Sequence, residues 1–162
     1  MEQNVTNALE KLRSKGVAES LAKMFKVSFG QTHQAYHGTD KKFAEMIISN
    51  GFSIKENEKN WFGNGIYFFE WSFSEAQNWA KNIKKFNPPV VIKCIIKYGK
   101  SLRLTEESHC KIVREFKLVM ENTLRIPIKE PAAIDALAYL ADIDTIKGVN
   151  VKGNHSHASY RG

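Results

Sequence analysis

Apolar residues recur three to five positions apart near the start of the chain, which predicts an amphipathic helix over residues 4–25. The apolar positions are Val5, Leu9, Leu12, Val17, Leu21, Met24 and Phe25. Gly16 interrupts the pattern, so the segment is read either as one helix or as two. The stretch "FKVSFGQTHQAYHGT" then alternates over short distances, which predicts a strand that reaches about Tyr36.

The next helix is identified by the residues at its two ends. Asp40 has the character of an N-cap for "KKFAEMIISNGF", and Asn50-Gly51 closes that helix. Residues 53–61 are polar and predict a loop. Residues 65–69 predict a strand because they are rich in aromatic and β-branched side chains.

A second helix is expected through "EAQNWAKNIKKF", with Ser72 or Ser74 as its cap. Asn87-Pro88-Pro89 is expected to end this helix, because proline has no backbone N–H to donate to the helical hydrogen bonds. "VVIKCIIKY" is the clearest strand of the chain, and Gly99 ends it.

The last third continues the mixture of helix and strand. Thr105 opens a predicted helix that runs to about Asn122, and Pro127 and Pro131 bracket a linker. "AAIDALAYL" predicts a short helix, and "TIKGVNV" predicts a turn and a strand. Helices and strands interleave without a regular βαβ rhythm, which favours an α+β fold over a doubly wound parallel sheet. A length of 162 residues predicts one domain, 1–162, with residues 1–30 as an N-terminal helical extension.

Composition places the chain among ordinary globular proteins. Apolar residues make up 43% and charged residues 25% of the sequence. No apolar run approaches the roughly 20 residues that span a bilayer, and "MEQNVTNALEKLRSKG" lacks a signal-peptide core, so a cytoplasmic location without membrane contact is expected. Cys94 and Cys110 have no metal-ligand spacing and are interpreted as reduced structural thiols.

The net charge of +7 is concentrated in one segment. No acidic residue occurs between Glu75 and Glu106. The same segment contains seven basic residues: Lys81, Lys84, Lys85, Lys93, Lys97, Lys100 and Arg103. Such a segment is commonly a solvated face, but it is also the footprint expected for a polyanion, so nucleic acid or a nucleotide is a candidate partner.

Three short stretches carry the candidate chemistry. "YHGT" ends the first predicted strand, "FGNGIYFFE" follows about thirty residues later, and "SEAQNWA" lies in the next helix. Two glycines before an aromatic strand fit a tight turn feeding a buried strand. They also fit a backbone that passes close to a flat ligand. "GNGIYF" has neither the spacing of a dinucleotide fingerprint nor that of a P-loop.

In this order the stretches resemble the ADP-ribosyltransferase fold, in the branch shared by diphtheria toxin and the poly(ADP-ribose) polymerases. The similarity is greatest to small bacterial and phage members, which continue with segments like "LRLTEES" and "DTIKGV". It covers residues 35–150. It implies a split β-sandwich with flanking helices, and a glycosyltransferase that uses NAD as substrate and needs no metal.

The resemblance also implies roles for particular residues. Tyr67 would stack on the nicotinamide ring, and the backbone of Gly38 would bind its carboxamide. His37 would hydrogen-bond a ribose hydroxyl, with Thr39 in support. Gly63 and Gly65 would let the strand pass under the ring.

The remaining implied contacts come from the following helix and its surroundings. Trp79 or Asn78 would form a second wall, and Ser74 would contact the amide. Trp61 and Trp71 would shape the mouth of the pocket. Trp79 has the apolar helix neighbours Ala76 and Ala80, which slightly favours core packing over ligand contact. Glu70 is interpreted as a strand-end or loop charge, with a role in the site as the less favoured alternative.

One expected residue is missing from the pattern. The family usually places a Glu on a late strand, about twenty residues after the "DTIKGV" stretch, and this chain stops at Gly162. No carboxylate follows Asp144, so the expected C-terminal strand is either absent or atypical. A shortened chain, a different activating residue and an inactive relative are all consistent with this departure.

Two functions are carried forward. The first is a mono-ADP-ribosyltransferase with His37 and Tyr67 as catalytic residues. Small relatives imply a toxin or phage-defence effector, with RNA, DNA or protein as acceptor and a neutralising antitoxin as partner. The alternative is an inactive module that binds NAD, ADP-ribose or nucleic acid. RNA binding by exposed aromatics and basic residues is a weaker third possibility, because "IYFF" has the pattern of a buried strand.

Overall fold

The computed structural model describes residues 2–14, 16–25, 27, 31–54, 61–150 and 155–160. The helices are α1 (Glu2–Ser14), α2 (Val17–Met24), α3 (Lys41–Asn50), α4 (Phe73–Asn78), α5 (Glu107–Leu124) and α6 (Glu130–Ala141). The strands are β1 (Thr32–Asp40), β2 (Ile66–Glu70), β3 (Pro89–Lys97), β4 (Ser101–Arg103), β5 (Thr145–Asn150) and β6 (His155–Tyr160). A π-helical turn, Trp79–Ile83, extends α4.

The caps that define α3 and α4 are built as local chemistry predicts. The Asp40 carboxylate accepts a hydrogen bond from the Phe43 amide at 2.8 Å, and Gly51, at φ 81°, donates its amide to the Ile47 carbonyl. At α4 the amide of Glu75 donates to the Ser72 hydroxyl at 3.3 Å. The predicted N-cap of α3 is therefore confirmed, and of the two serines offered for α4, Ser72 is the cap.

Some boundaries differ from those predicted. The N-terminal segment forms two helices, with Gly16 at φ 73° between them. Pro131 lies in the first turn of α6 and not in a linker, because a first-turn residue needs no intrahelical N–H bond and the fixed φ of proline suits a helix start. A strand also follows the "DTIKGV" segment: β6 forms the last element.

The six strands form one sheet in the order β3-β1-β2-β6-β5-β4. Every neighbouring pair is antiparallel except β4 and β5, which are parallel. β1 pairs with β3 over nine positions, from Thr32 opposite Lys97 to Asp40 opposite Pro89. With helices collected around an antiparallel-rich sheet, the predicted α+β class is confirmed.

The larger core lies between the β4–β5 side of the sheet and helices α1, α2, α5 and α6. Its fully buried side chains include Leu102, Val113, Met120, Ile134, Leu137 and Ile146. A second cluster, on the other half of the sheet, contains Ala35, Ile66, Phe68, Ile96 and Tyr98. Each buried aliphatic side chain removed from water stabilises the fold by about 2 kcal/mol.

Two carboxylates join separate segments. Glu70 ends β2, as predicted for a strand-end charge, and it is buried with the Lys147 ammonium 2.7 Å away and the His33 ring 3.5 Å away. The Asp144 carboxylate accepts hydrogen bonds from the amides of Gly99 and Lys100, both at 3.2 Å, and from the Thr145 hydroxyl at 2.7 Å. Asp144 thus has the local hydrogen-bonding role expected of an acidic turn residue.

The two cysteines are free thiols, half-buried in the fold. Burial raises the pKa of the Cys94 thiol, which keeps it protonated and weakly reactive at neutral pH. Among the described helices none has the length and apolarity needed to cross a membrane.

The contacts of Asp144 predict a large loss of stability when its carboxylate is removed. Asp144→Ala should lower the free energy of unfolding by about 2–4 kcal/mol, because it leaves two backbone donors of the β3–β4 turn without their acceptor. Asp142→Asn is the matched control: Asp142 is exposed in the left-handed conformation, which Asn also tolerates. Urea denaturation of both variants gives the comparison, and equal losses would contradict this role for Asp144.

Candidate active site

The candidate site begins where β1 and β2 stop pairing. Their register contains only Ala35 opposite Glu70 and Tyr36 opposite Phe69, whereas β1 stays paired with β3 to its end. Beyond Tyr36 the two strands are joined by a side chain instead of a backbone pair: Nδ1 of His37 lies 2.8 Å from the carbonyl oxygen of Tyr67. An imidazole therefore satisfies a backbone group of β2 that the β1 ladder leaves unpaired.

This contact fixes the tautomer of His37. A carbonyl oxygen can only accept a hydrogen bond, so Nδ1 carries the proton and Nε2 of the neutral ring is an acceptor. Burial lowers the pKa of His37, and the bond to the Tyr67 carbonyl raises it by less. The ring packs against the edges of Phe52 and Phe68, with centroids 5.2 and 5.8 Å away. His37 is thus a neutral acceptor at pH 7.

Tyr67 is held by the glycine-containing turn that precedes its strand. Its hydroxyl donates to the Gly63 carbonyl at 2.7 Å and accepts from the Phe62 amide at 3.0 Å. Its ring lies nearly parallel to that of Phe62, at 14° and 6.3 Å between centroids. Gly63 has φ 80°, a conformation that glycine adopts without steric cost. The aromatic plane of Tyr67 is therefore held by two hydrogen bonds at its hydroxyl and by the packing of its ring on Phe62.

Gly38 lies where α4 crosses β1. A Cβ atom at this position would collide with the backbone carbonyl of Ala76, so only glycine permits this approach of helix to strand. Gly38 and its buried neighbour Thr39 line the same cleft as His37 and Tyr67. Gly38 therefore lines the cleft through its backbone alone, on a strand against which α4 packs.

The cleft has a volume of about 650 Å³, within the range of small-molecule and cofactor sites. Trp61 and Trp79 meet edge to face on one wall, 5.9 Å apart, and the Lys84 ammonium lies 5.1 Å from the Trp79 ring. Helix α3 supplies the facing wall. Its lining side chains are Phe43, Met46, Ile47 and Asn50.

The predicted site residues divide into two groups. Those that line the cleft are His37, Gly38, Thr39, Trp61, Gly65, Tyr67 and Trp79. Those that do not line it are Gly63, Trp71, Ser74 and Asn78. Gly63 acts through the turn that holds Tyr67, and Ser74 lies exposed at the start of α4 with its hydroxyl 3.3 Å from that of Ser72. Trp71 is 64% exposed and touches His33 instead.

Four parts of the cleft lining were not predicted from the sequence: α3, Phe52, Lys84 and Phe86. The apolar face of α3 was visible in the sequence, but the same pattern predicts packing against a core. Lys84 was visible only as one member of the basic segment.

The strand beside Tyr67 is β6. In its register Ser159 lies opposite Tyr67 and His157 opposite Phe69. The sequence of β6, "HSHASY", contains no carboxylate, and the described residues that line the cleft include neither Asp nor Glu. Within the described part of the chain, no group of three or more His, Cys, Asp or Glu side chains is placed to hold a metal ion.

The burial of His37 predicts its titration. Its ring should titrate with a midpoint below the ordinary 6.5, because burial disfavours the imidazolium more than the Tyr67 carbonyl favours it. The contribution of this group to stability is then complete above pH 6.5 and declines as the pH falls from 6.5 toward the folded-state pKa. NMR titration of the His37 ring protons gives the midpoint in the folded chain and in the urea-unfolded chain, so the two values are compared for the same residue. A folded-state midpoint above that in urea would contradict the assignment.

Comparisons with known proteins identify the family of the chain. The family model of the poly(ADP-ribose) polymerase catalytic domain matches residues 4–126, well over half of the chain. An uncharacterised protein of Methanocaldococcus jannaschii is 30% identical over 101 residues, which cover 56% of this chain and 45% of that protein, so the chain spans about half the length of this relative. No solved structure gives a significant match. By its match to the family model, the chain belongs to the poly(ADP-ribose) polymerase catalytic-domain family of NAD-dependent ADP-ribosyltransferases.

Proposed function

We propose that this chain binds NAD in the cleft between β1 and β2 and transfers a single ADP-ribose unit from it to an acceptor. The observation that carries the proposal is the contact of His37 with the Tyr67 carbonyl. It holds a neutral imidazole and an oriented aromatic ring on one cleft, next to a glycine whose backbone has no side chain over it.

His37 acts on the ribose. With Nδ1–H committed to the Tyr67 carbonyl, Nε2 is left to accept a hydrogen bond from a ribose hydroxyl. The lowered pKa keeps this acceptor available at neutral pH, since an imidazolium could only donate. His37 orients the sugar and is not needed as a proton donor, because nicotinamide leaves as a neutral molecule.

Tyr67 and Gly38 hold the leaving group. A flat nicotinamide ring stacks on the face of Tyr67, whose plane is fixed through Phe62 and Gly63. The backbone at Gly38 offers a peptide N–H and carbonyl to the carboxamide without interference from a side chain. Trp61 and Trp79 close the pocket and reduce the access of water.

In the proposed reaction the glycosidic bond between ribose C1′ and the nicotinamide nitrogen breaks. Its electron pair returns to the pyridinium ring, which becomes neutral nicotinamide. The acceptor forms a new bond to C1′ through an oxygen or nitrogen atom and loses one proton. Interactions that align the sugar and the acceptor are worth most here, because the transition state has little bonding to either group.

The lack of a carboxylate on β6 supports a second candidate, a module that binds NAD or ADP-ribose without transfer. A carboxylate would help to hold the ribose and to deprotonate the acceptor. The intact contact between His37 and Tyr67 favours the transferase. As a transferase the chain would suit a toxin or defence role, with RNA, DNA or protein as acceptor and an antitoxin as its neutralising partner. The net charge of +7 supports a polyanionic acceptor or an acidic antitoxin.

The test is nicotinamide release, followed together with transfer of label from adenylate-labelled NAD to RNA, DNA or lysate protein. Tyr67→Ala and His37→Ala should each lower release by about 100-fold, because either change misplaces the reacting bond. Tyr67→Phe keeps the ring but loses both hydroxyl contacts, so an intermediate loss is expected.

Tyr139→Ala is the control, since Tyr139 is half exposed on α6, away from the cleft. Equal effects of Tyr67→Ala and Tyr139→Ala would contradict the roles given to the cleft. NAD binding that depends on Tyr67, without any release, would instead select the binding module.

A further inference from the structure

One face of the sheet is left open at its β3 edge. Alternate residues of β3, Lys93, Ile95 and Lys97, are exposed, and Ile95 is 67% accessible. They lie opposite Tyr36, Gln34 and Thr32 of β1 in the strand register. Directly opposed residues of an antiparallel pair share a face, so these six residues form one continuous surface. We call it the open face.

Helix α4 covers only one end of this surface. It crosses β1 at Gly38, where the Ala76 carbonyl leaves no room for a side chain. The first residue of α4, Phe73, projects over Tyr36, with the rings edge to face at 5.8 Å, and remains 50% exposed. The open face therefore presents the half-exposed ring of Phe73, packed on a partly buried Tyr36, beside the exposed side chain of Ile95.

The two strands of the open face carry charge of one sign. β1 from Thr32 to Thr39 and β3 from Pro89 to Lys97 contain no Asp or Glu, and the acidic residue of α4, Glu75, lies two positions after Phe73. Lys93 and Lys97 stand on either side of Ile95, about 7 Å from it along the strand. A positive potential over an aromatic and aliphatic surface is therefore expected.

Lysines on an edge strand have an ordinary explanation, which is to prevent edge-to-edge pairing of sheets. That role accounts for Lys93 and Lys97 but not for Phe73, which is on a helix and gains little from exposure. Proteins that bind single-stranded nucleic acids combine flat aromatic rings with lysines on an open surface. The bases stack on the rings, and the phosphates contact the ammonium groups.

We infer that the open face binds a single strand of nucleic acid. Lys93 and Lys97 contact phosphates, while Phe73, Tyr36 and Ile95 carry the bases. The same strand β1 continues to His37, about 10 Å beyond Gln34. A strand bound on the open face would thus be held near the cleft, although binding itself needs neither NAD nor turnover.

The test measures binding without catalysis. Fluorescence anisotropy of a labelled RNA of about 12 nucleotides, the matching DNA and their duplex would be followed at several salt concentrations. Wild-type chain should bind single strands more tightly than duplex. Lys93→Ala/Lys97→Ala should weaken binding about tenfold or more and reduce the salt slope by about 1.4, which corresponds to two phosphate contacts.

Lys111→Ala/Lys117→Ala is the matched control, because it removes the same charge from α5, on surface ion pairs with Glu115 and Glu121. It should change affinity by less than about threefold, since nonspecific attraction depends on total charge only weakly at moderate salt. Equal losses in the two double variants would overturn the assignment to the open face.

Phe73→Leu provides an independent arm, because it keeps an apolar side chain and loses the flat ring. It should weaken single-strand binding about fivefold or more, whereas Tyr139→Leu on α6 should not. Absence of wild-type binding at low salt, or equal affinity for duplex with no effect of Phe73→Leu, would refute the inference. Failure of NAD cleavage would leave these results unchanged, so the two proposals fail separately.

Discussion

The cleft depends on one hydrogen bond, from Nδ1 of His37 to the Tyr67 carbonyl. Where β1 leaves β2, the imidazole of His37 spans the opening between the strands and binds the Tyr67 carbonyl of β2. The same bond selects the tautomer, and burial removes the charge. The hydrogen bond between His37 and Tyr67 therefore sets both the orientation of the His37 ring and the acceptor character of its Nε2, at the point where β1 and β2 separate.

The contact between His37 and Tyr67 is stabilised by packing that extends into the larger core. Phe62 stacks on Tyr67 and donates its amide to the Tyr67 hydroxyl. The Phe62 ring in turn lies against Gly148 of β5, where a Cβ atom would come within 2.5 Å of it. The plane of the Tyr67 ring is thus set by the packing of β5 and by a left-handed glycine at position 63. A site on such a support keeps its geometry without a ligand, which is the requirement for effective positioning.

Much of the fold could be predicted from local chemistry, because caps and breakers act over a few residues. Asp40 and Gly51 mark the two ends of α3 through their own bonds and dihedral angles. The π-helical turn that extends α4 ends at Ile83, ahead of Pro88. The pairing of His37 with Tyr67 could be expected only through motif resemblance. The wall built by α3 and the exclusion of Ser74 from the cleft could not be predicted, because they depend on how α3 and α4 pack on β1. An apolar helix face looks the same whether it covers a core or a ligand.

In the proposed complex, NAD lies with its nicotinamide on Tyr67 and its ribose at Nε2 of His37. Proton NMR of the chain mixed with NAD tests this directly, through nuclear Overhauser contacts between the nicotinamide protons and the Tyr67 ring. We expect these contacts, a shift of the His37 ring resonances, and free nicotinamide that accumulates with time. Contacts of the nicotinamide with other residues, while Tyr67 and His37 stay unperturbed, would contradict it.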